Sequence, residues 1–210
     1  MAEGVFISIE GGEGVGKSTQ IAALKAALEG KGIEVLITRE PGGTEGAEAI
    51  RQLLLGGSDD RWAAGPEALL FAAARGDHVA KRIRPALAKG QWVISDRYVD
   101  SSRAYQGASL GLGDGDIMEL HRIGSGGFLP HRTLVLDLSE TEAATRALTR
   151  DGGRSDRIGG RDAAFHARVR QAFHHFAAEE PERVRIIDAS GDASSVTARI
   201  LMGLADLLPS

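Results

Sequence analysis

The 210-residue chain contains no cysteine, no asparagine and no apolar run long enough to cross a bilayer. Without cysteine there can be no disulfide, no thiolate-bound metal and no cysteine nucleophile. The first residues also lack the charged-then-apolar pattern of a signal peptide. We therefore expect a soluble, cytoplasmic protein with no membrane association.

The chain also lacks the basic excess that nucleic-acid-binding proteins usually carry. Its formal net charge is -4 at pH 7, so we expect no nucleic-acid partner. Hydrophobic residues make up 42% and charged residues 26% of the chain, as in an ordinary globular protein. At this length we expect a single domain over residues 1–210.

Short apolar runs alternate with helical patterns along the chain. The runs predict strands over residues 5–9, 34–38, 91–95, 132–138 and 183–188. The helical patterns cover residues 17–28, 46–55, a long stretch from Pro66, and 195–208. Pro85 is expected to kink or break the long helix. Continuous apolar strands separated by helices predict an α/β fold with a five-stranded parallel sheet flanked by helices. The segment 149–162, rich in glycine and charge, predicts a small mobile lid.

The segment from Gly11 to Ser18 matches the phosphate-binding pattern G-x-x-x-x-G-K-[ST]. It lies between a predicted strand and a predicted helix, which is typical of a P-loop NTPase fold. Its glycines allow backbone N–H groups to converge on phosphate oxygens. Lys17 is expected to reach the β- and γ-phosphates, and the Ser18 hydroxyl to bind Mg²⁺. The predicted ATP contacts are Gly11, Gly12, Glu13, Gly14, Val15, Gly16, Lys17, Ser18 and Thr19.

A phosphate-binding loop by itself fits a GTPase, an ATPase motor or a kinase of small substrates. A GTPase would read guanine through an Asn-Lys-x-Asp element, and this chain has no asparagine. A motor normally needs a larger chain. A kinase of small substrates is therefore the leading interpretation, and a non-catalytic nucleotide sensor is the alternative from another class.

Asp96 and Arg97 directly follow the third predicted strand. The carboxyl ends of parallel strands meet at one edge of the sheet, which places both side chains beside the phosphate loop. A carboxylate there can hold Mg²⁺ together with Ser18, and an arginine fork can bind a phosphate through two hydrogen bonds. We predict Asp96 as a metal ligand and Arg97 as a catalytic residue; the alternative is a surface ion pair.

Seven short segments form a further pattern: FISIEGGEG (6–14), TREPGGT (38–44), LFAAAR (70–75), DRY (96–98), SS (101–102), AYQG (104–107) and DRI (156–158). In order and spacing they resemble the thymidylate kinases, a family of P-loop nucleoside-monophosphate kinases. The resemblance spans nearly the whole chain, and TREPGG is its most specific part. It implies transfer of the γ-phosphoryl group of ATP to dTMP for dTTP biosynthesis, with Mg²⁺, by a homodimer. A kinase for another nucleotide or a deoxynucleoside is the nearest alternative.

The resemblance also assigns an acceptor site. Phe71 would stack on thymine, while Arg75, four residues along the same helix, would donate a hydrogen bond to the O4 carbonyl and disfavour cytosine. The ring of Tyr105 would crowd the ribose 2′ position. Arg97, with Arg39 or Arg51, would hold the acceptor phosphate. The predicted dTMP-binding residues are Glu40, Arg51, Phe71, Arg75, Arg97, Ser102, Tyr105 and Gln106.

The phosphate loop has no basic residue ahead of Lys17. Family members of this kind supply the missing positive charge from the lid, so Arg154 and Arg157 are predicted as catalytic residues. Gly159-Gly160 stands where the family often has an acidic residue, which predicts a more flexible lid.

Overall fold

A computed structural model describes residues 4–58, 60–139, 142 and 157–209. In this part of the chain five strands form one parallel sheet in the order β2-β3-β1-β4-β5. The predicted α/β fold is therefore confirmed, and each predicted strand lies within two residues of its observed position. The strands are β1 (Phe6–Gly11), β2 (Val35–Arg39), β3 (Trp92–Asp96), β4 (Arg132–Asp137) and β5 (Val184–Asp188).

Helices connect the strands and cover the sheet. Two π-helical segments, Val79–Ile83 and Arg103–Ser109, continue α3 and α5 respectively. The sequence patterns did not predict α6 and α7. The α-helices of the described residues are α1 (Lys17–Glu29), α2 (Glu45–Leu55), α3 (Ala64–His78), α4 (Arg84–Leu87), α5 (Val99–Ser102), α6 (Asp114–Ser125), α7 (Ala163–Glu179) and α8 (Ala193–Gly203).

The chain remains helical through Pro85, so the predicted break does not occur there. A proline ring clashes with the carbonyl group four residues earlier in a regular α-helix. Here the π-helical segment Val79–Ile83 directly precedes α4 and its proline. Wider π turns relieve such local conflicts within an otherwise continuous helix.

Both faces of the sheet are buried, which explains why its strands are continuously apolar. On one face, Ile7 and Ile9 of β1 pack with Leu24 of α1 and Ile200 of α8. On the other face, side chains of β1, β3 and β4 pack against α3, α7 and the π-helical segments. Because helices cover both faces, a binding site is expected at the carboxyl edge of the sheet.

No helix of the described residues is long and apolar enough to cross a membrane. Of the predicted lid, residues 149–156 lie outside the described part of the chain. Residues 157–160 form a turn ahead of α7.

Candidate active site

The phosphate loop curls between β1 and α1 with positive φ angles at Gly11 (130°), Gly14 (73°) and Gly16 (94°). A Cβ atom at Gly11 would lie 2.5 Å from the Leu136 carbonyl oxygen, so a larger residue cannot fit there. Among the described residues no side chain caps the N-terminus of α1. Its first N–H groups are therefore available to an anion, as the predicted phosphate site requires.

Lys17 folds back over this loop. Its Nζ atom donates to the carbonyl oxygens of Gly12 at 2.8 Å and Gly11 at 3.2 Å. Burial, together with the charge of the neighbouring Arg97, lowers the pKa of Lys17 to about 8. Because Lys17 and Arg97 are two half-buried cations that repel each other, a polyanionic ligand such as a triphosphate tail would stabilise the charged form of both.

Arg97 joins the phosphate loop to the segment after β3. Its Nη1 atom donates to the Gly11 carbonyl at 3.0 Å and to Ser101 Oγ at 3.2 Å, and Nη2 donates to Glu13 at 2.9 Å. The guanidinium lies 5.2 Å from the centre of the Tyr105 ring. Arg97 has a φ of 68°, a conformation that costs energy in a residue other than glycine and is frequent at functional sites.

Ser18 and Asp96 line one open pocket at the edge of the sheet. Within the described residues, Oδ1 of Asp96 is buried and has no hydrogen-bond partner. A carboxylate and a hydroxyl are hard oxygen ligands, and Mg²⁺ is commonly bound by one or two carboxylates together with phosphate oxygens. The two predicted metal ligands therefore fit the ion.

A second cavity, partly open to solvent, lies beside Arg97. Seven further residues also line it, of which Glu13 was predicted as an ATP contact and the other six were not predicted as site residues: Glu13, Pro41, Leu55, Tyr98, Ser101, Ile158 and Gly159. Ser101 and Tyr98 lie within the segments that carried the resemblance, whereas Leu55 had no such signal. The structure brings all eight predicted dTMP-binding residues to its wall: Glu40, Arg51, Phe71, Arg75, Arg97, Ser102, Tyr105 and Gln106.

Arg75 lines this cavity and is held by a buried carboxylate. Its side chain is 3% exposed, and Nε donates to Glu40 at 2.8 Å. Its Nη2 atom donates to Ser102 Oγ at 2.9 Å. The other oxygen of Glu40 lies 3.0 Å from Nδ1 of His78, whose Nε2 is 2.6 Å from Thr38 Oγ1. Glu40 therefore orients Arg75 through a buried ion pair.

The structure also separates the two arginines proposed for the acceptor phosphate. Arg51 lines the cavity and donates to the Pro41 carbonyl at 2.7 Å. Arg39 instead pairs with Glu48 at 3.3 Å on an exposed surface and lines the pocket of Ser18. Arg51 is thus the better candidate to act with Arg97.

Tyr105 and Gln106 reach the cavity from the π-helical segment Arg103–Ser109. In the described residues the buried Tyr105 hydroxyl has no hydrogen-bond partner. The side-chain amide of Gln106 donates to Glu67 at 2.8 Å. Phe71, half-buried on α3, packs in the same apolar cluster as Tyr105.

Arg157 binds a carboxylate of α3 in this structure. Its side chain is fully buried, donates to the Leu54 carbonyl at 3.0 Å and pairs with Glu67 of α3. Arg161 binds the same carboxylate at 2.9 Å. The catalytic role of Arg157 remains a prediction, and Arg154 lies outside the described residues.

The chain is similar to known proteins over nearly its whole length. The family model described as thymidylate kinase matches residues 9–200. A protein named thymidylate kinase from Rhizorhabdus wittichii is 59% identical over 206 residues, covering 98% of this chain and 99% of the relative. Another of that name, from Caulobacter vibrioides, is 47% identical over 200 residues, covering 95% of each.

Proposed function

Because the chain belongs to the thymidylate kinase family, we propose that it transfers the γ-phosphoryl group of ATP to dTMP, giving ADP and dTDP for dTTP synthesis in the cytoplasm. The observation that carries this proposal is the position of Arg97. Its guanidinium contacts the phosphate loop and also lines the second cavity. It therefore lies between a donor phosphate site and an acceptor site, which an ATP hydrolase or a simple sensor does not need.

The donor half of the site is the phosphate loop. The triphosphate of ATP lies against the loop N–H groups and the N-terminus of α1, with Lys17 released from the Gly11 and Gly12 carbonyls to bind the β- and γ-phosphates. When bound, Mg²⁺ neutralises phosphate charge, and Ser18 and Asp96 are the residues that hold it. The hydrogen bonds donated by the loop N–H groups and by Lys17 hold the terminal phosphoryl group in position for in-line attack.

The acceptor half is the cavity beside Arg97. Phe71 stacks on thymine, and Arg75 donates to the O4 carbonyl. An arginine has no acceptor for the amino group of cytosine, so cytosine nucleotides are disfavoured. Arg97 and Arg51 hold the phosphate of dTMP. The Tyr105 ring restricts space at the ribose 2′ carbon and so favours deoxyribose.

The chemical step depends on position and charge. A phosphate monoester oxygen is already a competent nucleophile, so no general base is required, and orientation and neutralisation of charge lower the barrier. Lys17 and Arg97 stabilise the negative charge of the transition state. We assign the additional positive charge to the lid, through Arg154 and Arg157, on closure over the nucleotides.

Glu67 connects the lid to the acceptor cavity. It accepts hydrogen bonds from Gln106, which lines the cavity, and from Arg157 at the end of the predicted lid. Closure of the lid and occupation of the cavity are therefore expected to influence each other through this carboxylate.

We also propose that the chain is a single domain over residues 1–210 that assembles as a homodimer. Large apolar side chains are exposed on α2, α3 and α6, at Leu53, Leu69 and Ile123. These helices pack beside one another in the order α2, α3, α6 and supply apolar surface for a second copy. Sedimentation velocity over a range of concentrations tests this assembly.

The function is tested by a substrate panel with ATP and Mg²⁺. The panel contains dTMP, dUMP, dCMP, dGMP and thymidine, and the kcat/KM for dTMP is expected to be the highest. A clear preference for another acceptor would contradict the assignment. A Lys17→Met variant is the control for contaminating kinases, and absence of a single turnover by the wild type would favour the nucleotide sensor.

A further inference from the structure

The segment of α5 and the π-helical residues Arg103–Ser109 has two faces. One face borders the acceptor cavity and contributes four lining residues: Ser101, Ser102, Tyr105 and Gln106. Asp100 and Arg103, three residues apart, lie on the opposite face and are not part of the described lining of the cavity.

Asp100 is fully buried at the centre of a charged network. Arg183, which immediately precedes β5, donates to its two oxygens at 2.6 and 2.9 Å. Thr133 Oγ1 of β4 donates to Oδ2 at 2.8 Å, and Arg103 Nη1 donates to Oδ1 at 2.9 Å. Burial opposes ionisation of Asp100, but the hydrogen bonds and charges of Arg183 and Arg103 hold its pKa below the ordinary value.

Arg103 extends this network to two more helices. Its Nε and Nη2 atoms donate to the two oxygens of Asp114, at the start of α6, at 2.7 and 3.0 Å. Its Nη1 atom also donates to Glu180, just beyond α7, at 2.7 Å, and the guanidinium lies 4.1 Å from the centre of the Phe176 ring. We call this set the Asp100 network: Asp100, Arg103, Asp114, Thr133, Glu180 and Arg183.

The network fixes the geometry of the segment more than it stabilises the fold. Buried ion pairs often contribute little net stability compared with apolar side chains of the same size, and their best-attested role is to specify one arrangement. A π-helical segment requires such restraint, because π-helices are rare and occur mostly as single turns within α-helices. Here the network ties that segment to β4, the start of β5, α6 and the end of α7.

We propose that the Asp100 network is a positioning device for the acceptor site, which holds the segment Arg103–Ser109 in the register that projects Tyr105 and Gln106 into the cavity. The network thereby sets the affinity for the acceptor nucleotide and the discrimination against a ribose 2′-hydroxyl. The identity of that nucleotide rests on the proposed function. Asp100, Arg103 and Arg183 are positioning residues, since they act through the cavity wall.

The test compares Arg103→Leu with Arg132→Leu. Arg132 is the control because it is also buried and pairs with Asp206, which is not among the described lining of the cavity. Arg103→Leu should unfold at a lower temperature than the wild type, because the buried Asp100 loses one of its arginines. Arg132→Leu should change the unfolding temperature less, because Asp206 is half exposed and two Arg132 nitrogen atoms have no partner among the described residues. Only Arg103→Leu should raise the KM for dTMP, by about tenfold, since a displacement of about an ångström in a substrate-positioning group can cost on the order of 10²-fold.

The sugar selectivity is measured with ribothymidine 5′-monophosphate, which differs from dTMP only by the 2′-hydroxyl. The preference for dTMP over this analogue should narrow in Arg103→Leu, while the KM for ATP stays unchanged. Equal acceptor KM and equal selectivity in the two variants would show that the network is merely structural and would overturn the proposal.

Two further measurements keep the outcome decisive. If Arg103→Leu does not fold, Arg103→Lys replaces it, because lysine keeps the charge but not the fork that binds Asp114, and a smaller rise in KM is expected. Amide hydrogen exchange of residues 103–109 should accelerate in the Arg103 variants and not in Arg132→Leu. Hydrogen exchange does not depend on activity, so the two proposals can fail separately. A wild-type protein that does not phosphorylate dTMP would refute the proposed function. Exchange rates of residues 103–109 that are the same in the Arg103 variants and the wild type would refute the positioning role.

Discussion

Replacing Glu10 by glutamine should make the free energy of unfolding less dependent on pH. Glu10 lies in β1 beneath Arg97 and is fully buried. One oxygen accepts from Ser8 Oγ at 2.8 Å and the Tyr98 amide at 2.7 Å, and the other from Ser101 Oγ at 2.5 Å. Despite these donors, burial and the charge of the nearby Asp100 together raise the pKa of Glu10 to about 7.

The sign and magnitude follow from this pKa. Between the ordinary value of 4.5 and about 7, the folded protein retains a proton that the unfolded chain has released. The free energy of unfolding therefore falls as the pH rises through this window and is constant, for this group, above it. At roughly 1.4 kcal/mol per pKa unit the whole effect is about 3 kcal/mol. From pH 5 to pH 8 it amounts to about 2.5 kcal/mol.

Urea unfolding of the wild type and Glu10→Gln at several pH values measures this effect. Relative to the wild type, the variant should gain about 2.5 kcal/mol of stability between pH 5 and pH 8. Any constant cost of the altered hydrogen bonds cancels in this comparison. The exposed Glu29→Gln serves as control and should follow the wild type. A difference between wild type and Glu10→Gln that stays the same at all pH values would refute the reasoning.

Three further changes test the rest of the site, and one tests the lid. Arg97→Ala should lower kcat by about 10²-fold or more with an unchanged circular dichroism spectrum, since it removes transition-state charge stabilisation; near-normal turnover would contradict its role. Phe71→Ala should raise the KM for dTMP about tenfold, because stacking on a base is worth about 1–3 kcal/mol, and an unchanged KM would contradict the stacking role. Asp96→Asn should raise the Mg²⁺ concentration for half-maximal activity by about tenfold, and an unchanged value would exclude it as a ligand. Arg157→Met should cost about 3 kcal/mol in urea unfolding, because a buried carboxylate loses one of its two arginines; a fully stable but slow variant would indicate a purely catalytic arginine.

The sequence determined the sheet and the phosphate loop. Strands buried on both faces must be continuously apolar, and that pattern is local, so all five were located within two residues. The loop needs glycines at fixed spacing before a helix, which is also local. Apart from Arg97, which follows a strand, the acceptor residues were accessible only through resemblance to a family, because their physical link is a cavity wall formed by α2, α3 and the segment after β3.

The tertiary structure decided which charged groups meet. Arg75 rather than Arg39 pairs with Glu40, and Arg157 is buried against Glu67. Such pairings join residues far apart in the chain, as with Asp100 and Arg183, which are 83 positions apart. No local periodicity encodes them. They follow from the strand order of the sheet and the packing of helices across it, which bring distant side chains into one buried space.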